Sequence, residues 1–481
     1  MKHNISRRSA IKHLSLAAGG VAASRILGAP HILRAANAPG RLNCVVIGCG
    51  ARGMSHIAAA AGHNDKDRAT QNLMAIVDAD EKNHAKIRAW AKGKGFDPDP
   101  IQAFTDYRRM FDKIGKQIDA VFIATPNHHH ALPAMMAMQL GKGVYCEKPL
   151  CHTVAEARKL AEMARTFKVA TQMGNQGHCE EGYRRLCEYI WAGAIGKITE
   201  THSWTNRANG GIGPRPPSSP APAGLNWDAW IGPAPSRDYH TDLHPHEWHG
   251  WHDFGNGSLG NMGCHVLDGV YWALKLEHPT RIEAEQVFGG SEERYPTGTR
   301  ICWDFPARAE MPAVKVYWYD GRIGTGDTGD EKKPVTKGTR GTPNLPPLLK
   351  ELKQKFPDEK FDDNGTLYVG DKGILYTGTY GGNMHIVPKK LMLETPEPPK
   401  TLPRVSGSFG DFIRACREGR TDTASLFDYS ARLTEFTLLG NLAQRAGEGK
   451  AVEWDGPNMH ITNLPDLNQI LKQEYRKGWQ V

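Results

Sequence analysis

The chain contains no run of eighteen apolar residues, so no transmembrane helix is expected. It contains no C-x-x-C pair, and its cysteines number nine, an odd count that suits no small disulfide framework. Cys44, Cys49 and Cys146 fall in or beside predicted strands, where Cys acts as a small hydrophobe, and no essential disulfide is expected. H-E-x-x-H is missing as well, and solenoid-length repeats are absent. A net charge of +8 hints at nucleic acid, but six of the basic residues and no acidic one lie in residues 1–36. The near-neutral remainder lacks the electrostatic footprint that phosphate backbones require, so no nucleic-acid partner is expected.

What is present begins with a basic leader. Arg7-Arg8 precede a mildly apolar stretch from residue 14 to 23, and Ala35, Ala36 and Ala38 offer a cleavage region. This segment resembles a twin-arginine export signal, with Ala10 where Phe is commoner. The resemblance implies the twin-arginine machinery as a partner and a periplasmic or extracellular location. Because that route carries folded proteins, a cofactor inserted in the cytoplasm can travel inside the protein.

At 481 residues the chain exceeds one core. From residue 42 to 172, short apolar runs (42–47, 73–77, 120–124, 144–145, 169–172) alternate with helical stretches, the pattern of a parallel sheet covered on both faces. Asp106 and Thr153 are placed to cap the helices that follow them. Residues 210–224 hold too much proline for regular structure. Beyond them, 282–288, 299–305 and 314–319 alternate as antiparallel strands, with Val314, Val316 and Trp318 on one side. Gly370–Gly373 reads as a hairpin turn, 325–341 as a polar surface loop, and 409–417 and 425–446 as amphipathic helices. The predicted fold is therefore an α/β Rossmann-type domain (42–172), then an α+β domain (173–455) and a tail (456–481). The last helices are free to pack back on the first domain.

Strand 42–47 runs into Gly48-Cys49-Gly50-Ala51-Arg52-Gly53, the G-x-G-x-x-G turn in its required strand-to-helix context. The next strand ends at Asp78, twenty-five residues past Gly53, where a carboxylate would bond the adenosine ribose. An acidic group there repels a 2′-phosphate and no arginine follows it, so NAD is favoured over NADP. Thr125-Pro126-Asn127-His128-His129-His130 and Glu147-Lys148-Pro149 stand at two further strand ends, the edge at which open α/β sheets bind ligands. Lys148 is an ammonium whose pKa falls on burial, suited to proton transfer.

These motifs together resemble the Gfo/Idh/MocA family, the glucose-fructose oxidoreductase and inositol dehydrogenase group, over residues 42–455. The resemblance implies a second domain built on an open-faced, mostly antiparallel sheet that supports homodimers or homotetramers. It implies a cis peptide before Pro149, Lys148 acting near the substrate hydroxyl, and cofactor contacts from Gly48, Gly50, Ala51, Arg52, Gly53, Asp78, Thr125, Pro126, Asn127, His130, Glu147, Lys148 and Gln176. The family's D-x-G-x-H-x-x-D element reads Asn261-Met262-Gly263-Cys264-His265-Val266-Leu267-Asp268 here, with an amide in place of the first carboxylate. Four-residue spacing predicts 261 and 265 on one helical face, beside a substrate; His265 matches the family's histidine, and the resemblance implies it as the general base. An amide can bond a sugar hydroxyl but cannot carry a proton.

Four histidines fall between His244 and His252, but the spacing matches no zinc pattern and no metal is assigned. His244, His246 and Trp248, with Trp227, read as a loop lining a carbohydrate pocket. The leading expectation is NAD-dependent hydride transfer at a secondary hydroxyl of a sugar, glycoside or cyclic polyol, with the cofactor retained. A redox-neutral glycosidase or lyase working through a transient 3-keto sugar is the alternative. A non-catalytic carbohydrate-binding protein that keeps the nucleotide fold is the reading from another class.

Overall fold

The computed structural model describes residues 40–63, 70–323 and 341–480, so the arginine-rich leader and nearly all of the polar 325–341 segment lie outside the described residues. Six short strands, β1 (Leu42–Ile47), β2 (Gln71–Val77), β3 (Gln102–Phe104), β4 (Ala120–Ile123), β5 (Gly143–Cys146) and β6 (Thr171–Met173), form one sheet. Its order is β3-β2-β1-β4-β5-β6 and every pairing is parallel. Continuous hydrophobicity is explained by two cores. Val45, Ile47, Val121 and Ile123 point into one, while Cys44, Val46, Ala120 and Phe122 point into the other. Asp106 accepts the Arg108 N–H at 2.9 Å, and Thr153 with Glu156 forms a reciprocal capping box. β3 was not foreseen, because three residues are too few to display a period.

The second sheet has ten strands: β7 (Ile198–Thr205), β8 (Arg281–Phe288), β9 (Gly298–Phe305), β10 (Val314–Ile323), β11 (Thr342–Pro343), β12 (Asn364–Gly370), β13 (Gly373–Gly378), β14 (His385–Val387), β15 (Ala451–Asp455) and β16 (His460–Ile461). They run β14-β13-β12-β7-β10-β9-β8-β15-β16, with β11 on β10, and only β7–β10 is parallel. The 370–373 turn closes the β12–β13 hairpin. Val314, Val316 and Trp318 face the core, where Trp303 meets Phe436 of the helix Phe427–Ala446 edge-on at 5.1 Å. The opposite face is only partly open. Helix Pro347–Lys355 covers Trp204, Tyr319, Leu367 and Tyr376 with Leu349 and Leu352.

Late segments return to the first sheet. Phe427–Ala446 packs along Val154–Phe167, and Phe412 and Cys416 of helix Gly407–Glu418 complete the core beneath β5. A Cβ on Gly143 would stand 2.5 Å from Cys416 Sγ, so that contact requires glycine. The proline-rich stretch opens a lobe, residues 210–255, with a small core of Trp230, Ile231, Leu243, Trp251 and Phe254.

Candidate functional site

The strand order reverses between β1 and β4, which places the glycine turn opposite the end of β4. Gly48 has φ +86°, and a Cβ there would stand 2.6 Å from Ala124; a Cβ on Gly53 would stand 2.1 Å from the Gly48 carbonyl. Gly50 differs: its Cβ would meet nothing within 4 Å. Two glycines are thus demanded by the protein's own packing, while the middle one leaves the open approach that a pyrophosphate needs, with Ala51 and Arg52 completing the turn. Asp78 accepts the Cys49 N–H at 2.7 Å and the Asp80 N–H at 2.9 Å. Burial raises its pKa and these donors oppose the rise. A carboxylate has about four acceptor positions, so room for a ribose diol remains. Across the reversal, Thr125 Oγ1 and Asn127 Oδ1, just before and just after Pro126, are buried without partners. A dinucleotide fits this arrangement: an open glycine cradle, a ribose-side carboxylate and orphaned polar atoms at the sheet's carboxyl edge.

Glu147 is an internal anchor. Arg52 Nε donates to its Oε1 at 2.6 Å, and His56 Nε2 meets the same oxygen at 3.0 Å. Burial opposes ionisation, but the His56 bond and the Arg52 charge hold the Glu147 carboxyl well below the usual range. Gln176 accepts from Arg52 and donates to the Gly174 carbonyl at 3.0 Å. His130 sits between the Pro149 carbonyl, 2.7 Å from Nδ1, and the Thr125 carbonyl, 2.9 Å from Nε2; its neutral ring donates to one of them, at the ends of β4 and β5. The Lys148–Pro149 peptide is cis.

Lys148 reaches across to the second domain, where its Nζ donates to the Asn261 carbonyl at 2.6 Å and to Asn261 Oδ1 at 3.1 Å. Burial lowers its pKa, and Glu147 pulls in the opposite direction. The segment Leu259–Gly263 is a π-turn, not the regular α-helix that the four-residue spacing implied; an α-turn, Cys264–Val266, follows. Such wide turns present backbone carbonyls that a regular helix would bond internally. The Asn261 amide is oriented by its partners, accepting from Lys148 and donating through Nδ2 to Asn209 Oδ1 at 2.8 Å. His265 is buried with Nδ1 unpartnered. Burial first, and then the Lys148 ammonium, push its pKa well down, so the ring is neutral at pH 7. Asp268 lies deeper, bonded by Asn175 at 2.9 Å, His178 at 3.0 Å and Tyr429 at 2.5 Å, where it joins three segments.

The aromatic and histidine strip does not act as one pocket lining. Trp227 and His244 are engaged within the lobe and with the loop after β2, whereas His246 lies edge-on to His249 at 5.1 Å. Trp227 stacks on Trp230 at 4.8 Å and donates to the Arg237 carbonyl. His244 braces Asp80 at 3.0 Å, closing the lobe over the loop after β2, while the His246 side chain is 67% exposed. The reason is that alternate neighbours on an irregular loop face different ways, and composition says nothing about which. Trp248 does reach the interior side, stacked on His249 at 3.7 Å. His249 belongs to the same 244–252 strip, and Tyr380 is the residue that the sequence reading missed. Tyr380 has φ +62° and sets its ring edge-on to His265 at 5.1 Å. Cβ atoms on Gly177 and Gly182 would come within 2.8 Å of it, so these glycines seat the loop. The cluster Tyr380-Gly381-Gly382 after a strand was the available signal.

Comparison with known proteins agrees with this geometry. Residues 42–175 match the NAD-binding Rossmann fold of the GFO_IDH_MocA oxidoreductase family, and residues 197–290 match the family's C-terminal alpha/beta domain. A D-xylose 1-dehydrogenase (NADP(+)) from Hypocrea jecorina is 27% identical over 194 residues, 39% of this chain and 43% of that protein. Inositol 2-dehydrogenase 2 from Saccharopolyspora erythraea is 29% identical over 179 residues, 37% of this chain and 48% of that protein. The matched stretch thus spans less than half the length of either relative. The WlbA dehydrogenase from Bordetella pertussis, solved with NADH and UDP-GlcNAcA, shares the fold with a TM-score of 0.54 at 15% identity, over 86% of this chain and 99% of that one. The chain is thus similar, in sequence order, to both domains of the GFO_IDH_MocA oxidoreductase family, over residues 42–175 and 197–290.

Proposed function

We propose that the protein is an exported, NAD-dependent oxidoreductase that moves a hydride to or from a secondary hydroxyl of a sugar, glycoside or cyclic polyol. The observation that carries this reading is the Lys148 ammonium, held by Asn261 at the carboxyl edge of the NAD-binding sheet near the unpartnered His265 imidazole. The glycine turn and Asp78 would hold the dinucleotide, with Thr125 and Asn127 meeting its inner end; when bound, it supplies hydride exchange at the nicotinamide. An ammonium has three donors, and Asn261 takes two, so one remains for the substrate oxygen. Lys148 thereby orients the hydroxyl and stabilises negative charge as it develops on that oxygen. Neutral His265 accepts the hydroxyl proton through its free nitrogen, and returns it in the reverse direction. The dehydrogenase relatives that act on D-xylose and inositol support the substrate class. The Arg7-Arg8 leader supports export, and scarce free NAD(H) beyond the inner membrane favours a cofactor that stays bound through turnover.

The test uses the full-length protein as purified, with no nucleotide added, incubated with a panel of sugars, glycosides and cyclitols and analysed by mass spectrometry. Keto products, lost in Lys148→Met and His265→Ala variants that still melt like the parent, are expected. Glycoside cleavage without an acceptor would point instead to the redox-neutral route, and undiminished turnover in both variants would end the assignment of these two residues.

A further inference from the structure

His249 is a half-buried imidazole to which the proposed reaction gives no task. It lies on the single turn Glu247–Gly250, and its backbone is pressed so closely on Gly255 that a Cβ there would stand 2.4 Å from the His249 carbonyl. Trp248 stacks on its ring at 3.7 Å, which fixes the ring plane. The following residues run directly to the site: Phe254 O accepts the His128 N–H at 3.3 Å, and Asn256 donates to the His152 carbonyl. Nδ1 of His249 is buried with no partner, as is Nδ1 of His265. Burial, then the Lys148 charge, then His246 and His130 hold the His249 pKa well down, so this ring too is neutral. The next residue, Gly250, packs so closely on Gly210 that a Cβ there would stand 3.3 Å from its Cα, and the adjacent Asn209 accepts from the Asn261 that holds Lys148, so the turn lies against this anchor. Leaving a buried polar nitrogen unmade costs stability, and two such nitrogens at this site call for a ligand with more than one hydroxyl.

We infer that His249 binds a second substrate hydroxyl, adjacent to the one that reacts at Lys148 and His265, so that the site selects vicinal diols on a ring. The inference rests on the sugar-or-polyol reading and deepens it. A monohydroxy alcohol would satisfy Lys148 and His265 but leave the third group bare, and a deoxy sugar lacking the neighbouring hydroxyl would do the same. Discrimination of this kind is strong because the rejected ligand strands a buried polar group.

Calorimetric titration of the full-length protein with myo-inositol, methyl β-D-glucopyranoside and the monodeoxy forms of that glucoside tests this, alongside turnover of the same compounds. His249→Ala is expected to weaken binding of the best parent ligand about tenfold or more, the equivalent of one hydrogen bond to a buried group. One monodeoxy form should bind wild type and variant equally, and His249→Gln should restore part of the loss. KM should rise at least as much, with kcat within about threefold. Equal losses on the parent and every monodeoxy form, or no loss at all, would overturn the inference and leave the redox reading intact. Binding that follows the expected pattern without any turnover would uphold the diol seat and remove the redox reading; no binding of any of these polyols overturns both. If His249→Ala does not fold, the Gln variant and the monodeoxy series decide alone.

Discussion

Asn261 gathers the contacts of the proposed site in one residue. Its carbonyl and Oδ1 accept from Lys148, and its Nδ2 donates to Asn209. The resembled family has a carboxylate here, and the difference is one of charge, since an amide positions the ammonium without stabilising it electrostatically. Replacing Asn261 by Asp should therefore raise the Lys148 pKa by about one unit. The alkaline limb of the kcat–pH profile, which reports loss of the ammonium, should move up by the same amount. A limb that stays in place would show that Lys148 does not control it.

Among elements, the C-terminal tail does more than trail from the last strand. Trp479 is buried against Tyr107 and His129, with the Arg108 guanidinium 3.5 Å from its ring centroid. Arg476 bonds Asp228 and the Gly232 carbonyl, and Tyr475 donates to Glu156 at 2.6 Å. The tail thus straps the 210–255 lobe to the Rossmann domain, and the lobe in turn covers the loop after β2 through the Asp80–Leu225 bridge. Trp479→Ala should cost about 3–5 kcal/mol, the range for emptying a buried aromatic site. Amide exchange across residues 224–255 should accelerate in that variant; unchanged exchange there would mean the lobe holds without its strap.

For the molecule as a whole, the histidines set the response to acid. Burial keeps His128, His130, His249 and His265 neutral in the fold, and lowers His129 to about 4. Unfolded, each takes up a proton below about pH 6.5. Unfolding is then accompanied by proton uptake, so stability falls as pH drops from about 6.5 towards 4. Asp320, raised to about 6 by burial, works in the opposite sense, because its folded form binds the proton first. One carboxyl against several imidazoles loses, each imidazole contributing about 1.4 kcal/mol per pH unit. The melting temperature should fall steeply between pH 6.5 and 4.5 in a calorimetric series; a flat or rising series would contradict it.

Local chemistry made much of this legible beforehand. A strand, a glycine turn and a helix announce a dinucleotide site because period and φ requirements are properties of adjacent residues, and Asp78, the caps at 106 and 153 and the 370–373 hairpin follow for the same reason. The proposed reacting centre is of another kind. Lys148 and Asn261 are 113 positions apart, Asn175 and Asp268 are 93, and no period within either segment specifies their meeting. Packing of both sheets decided it, through glycines that admit a neighbour at 143, 177 and 182 and a π-turn that frees a carbonyl. Packing also set which way His244, His246 and His249 face, because an irregular loop takes its facing from the surfaces it lies against.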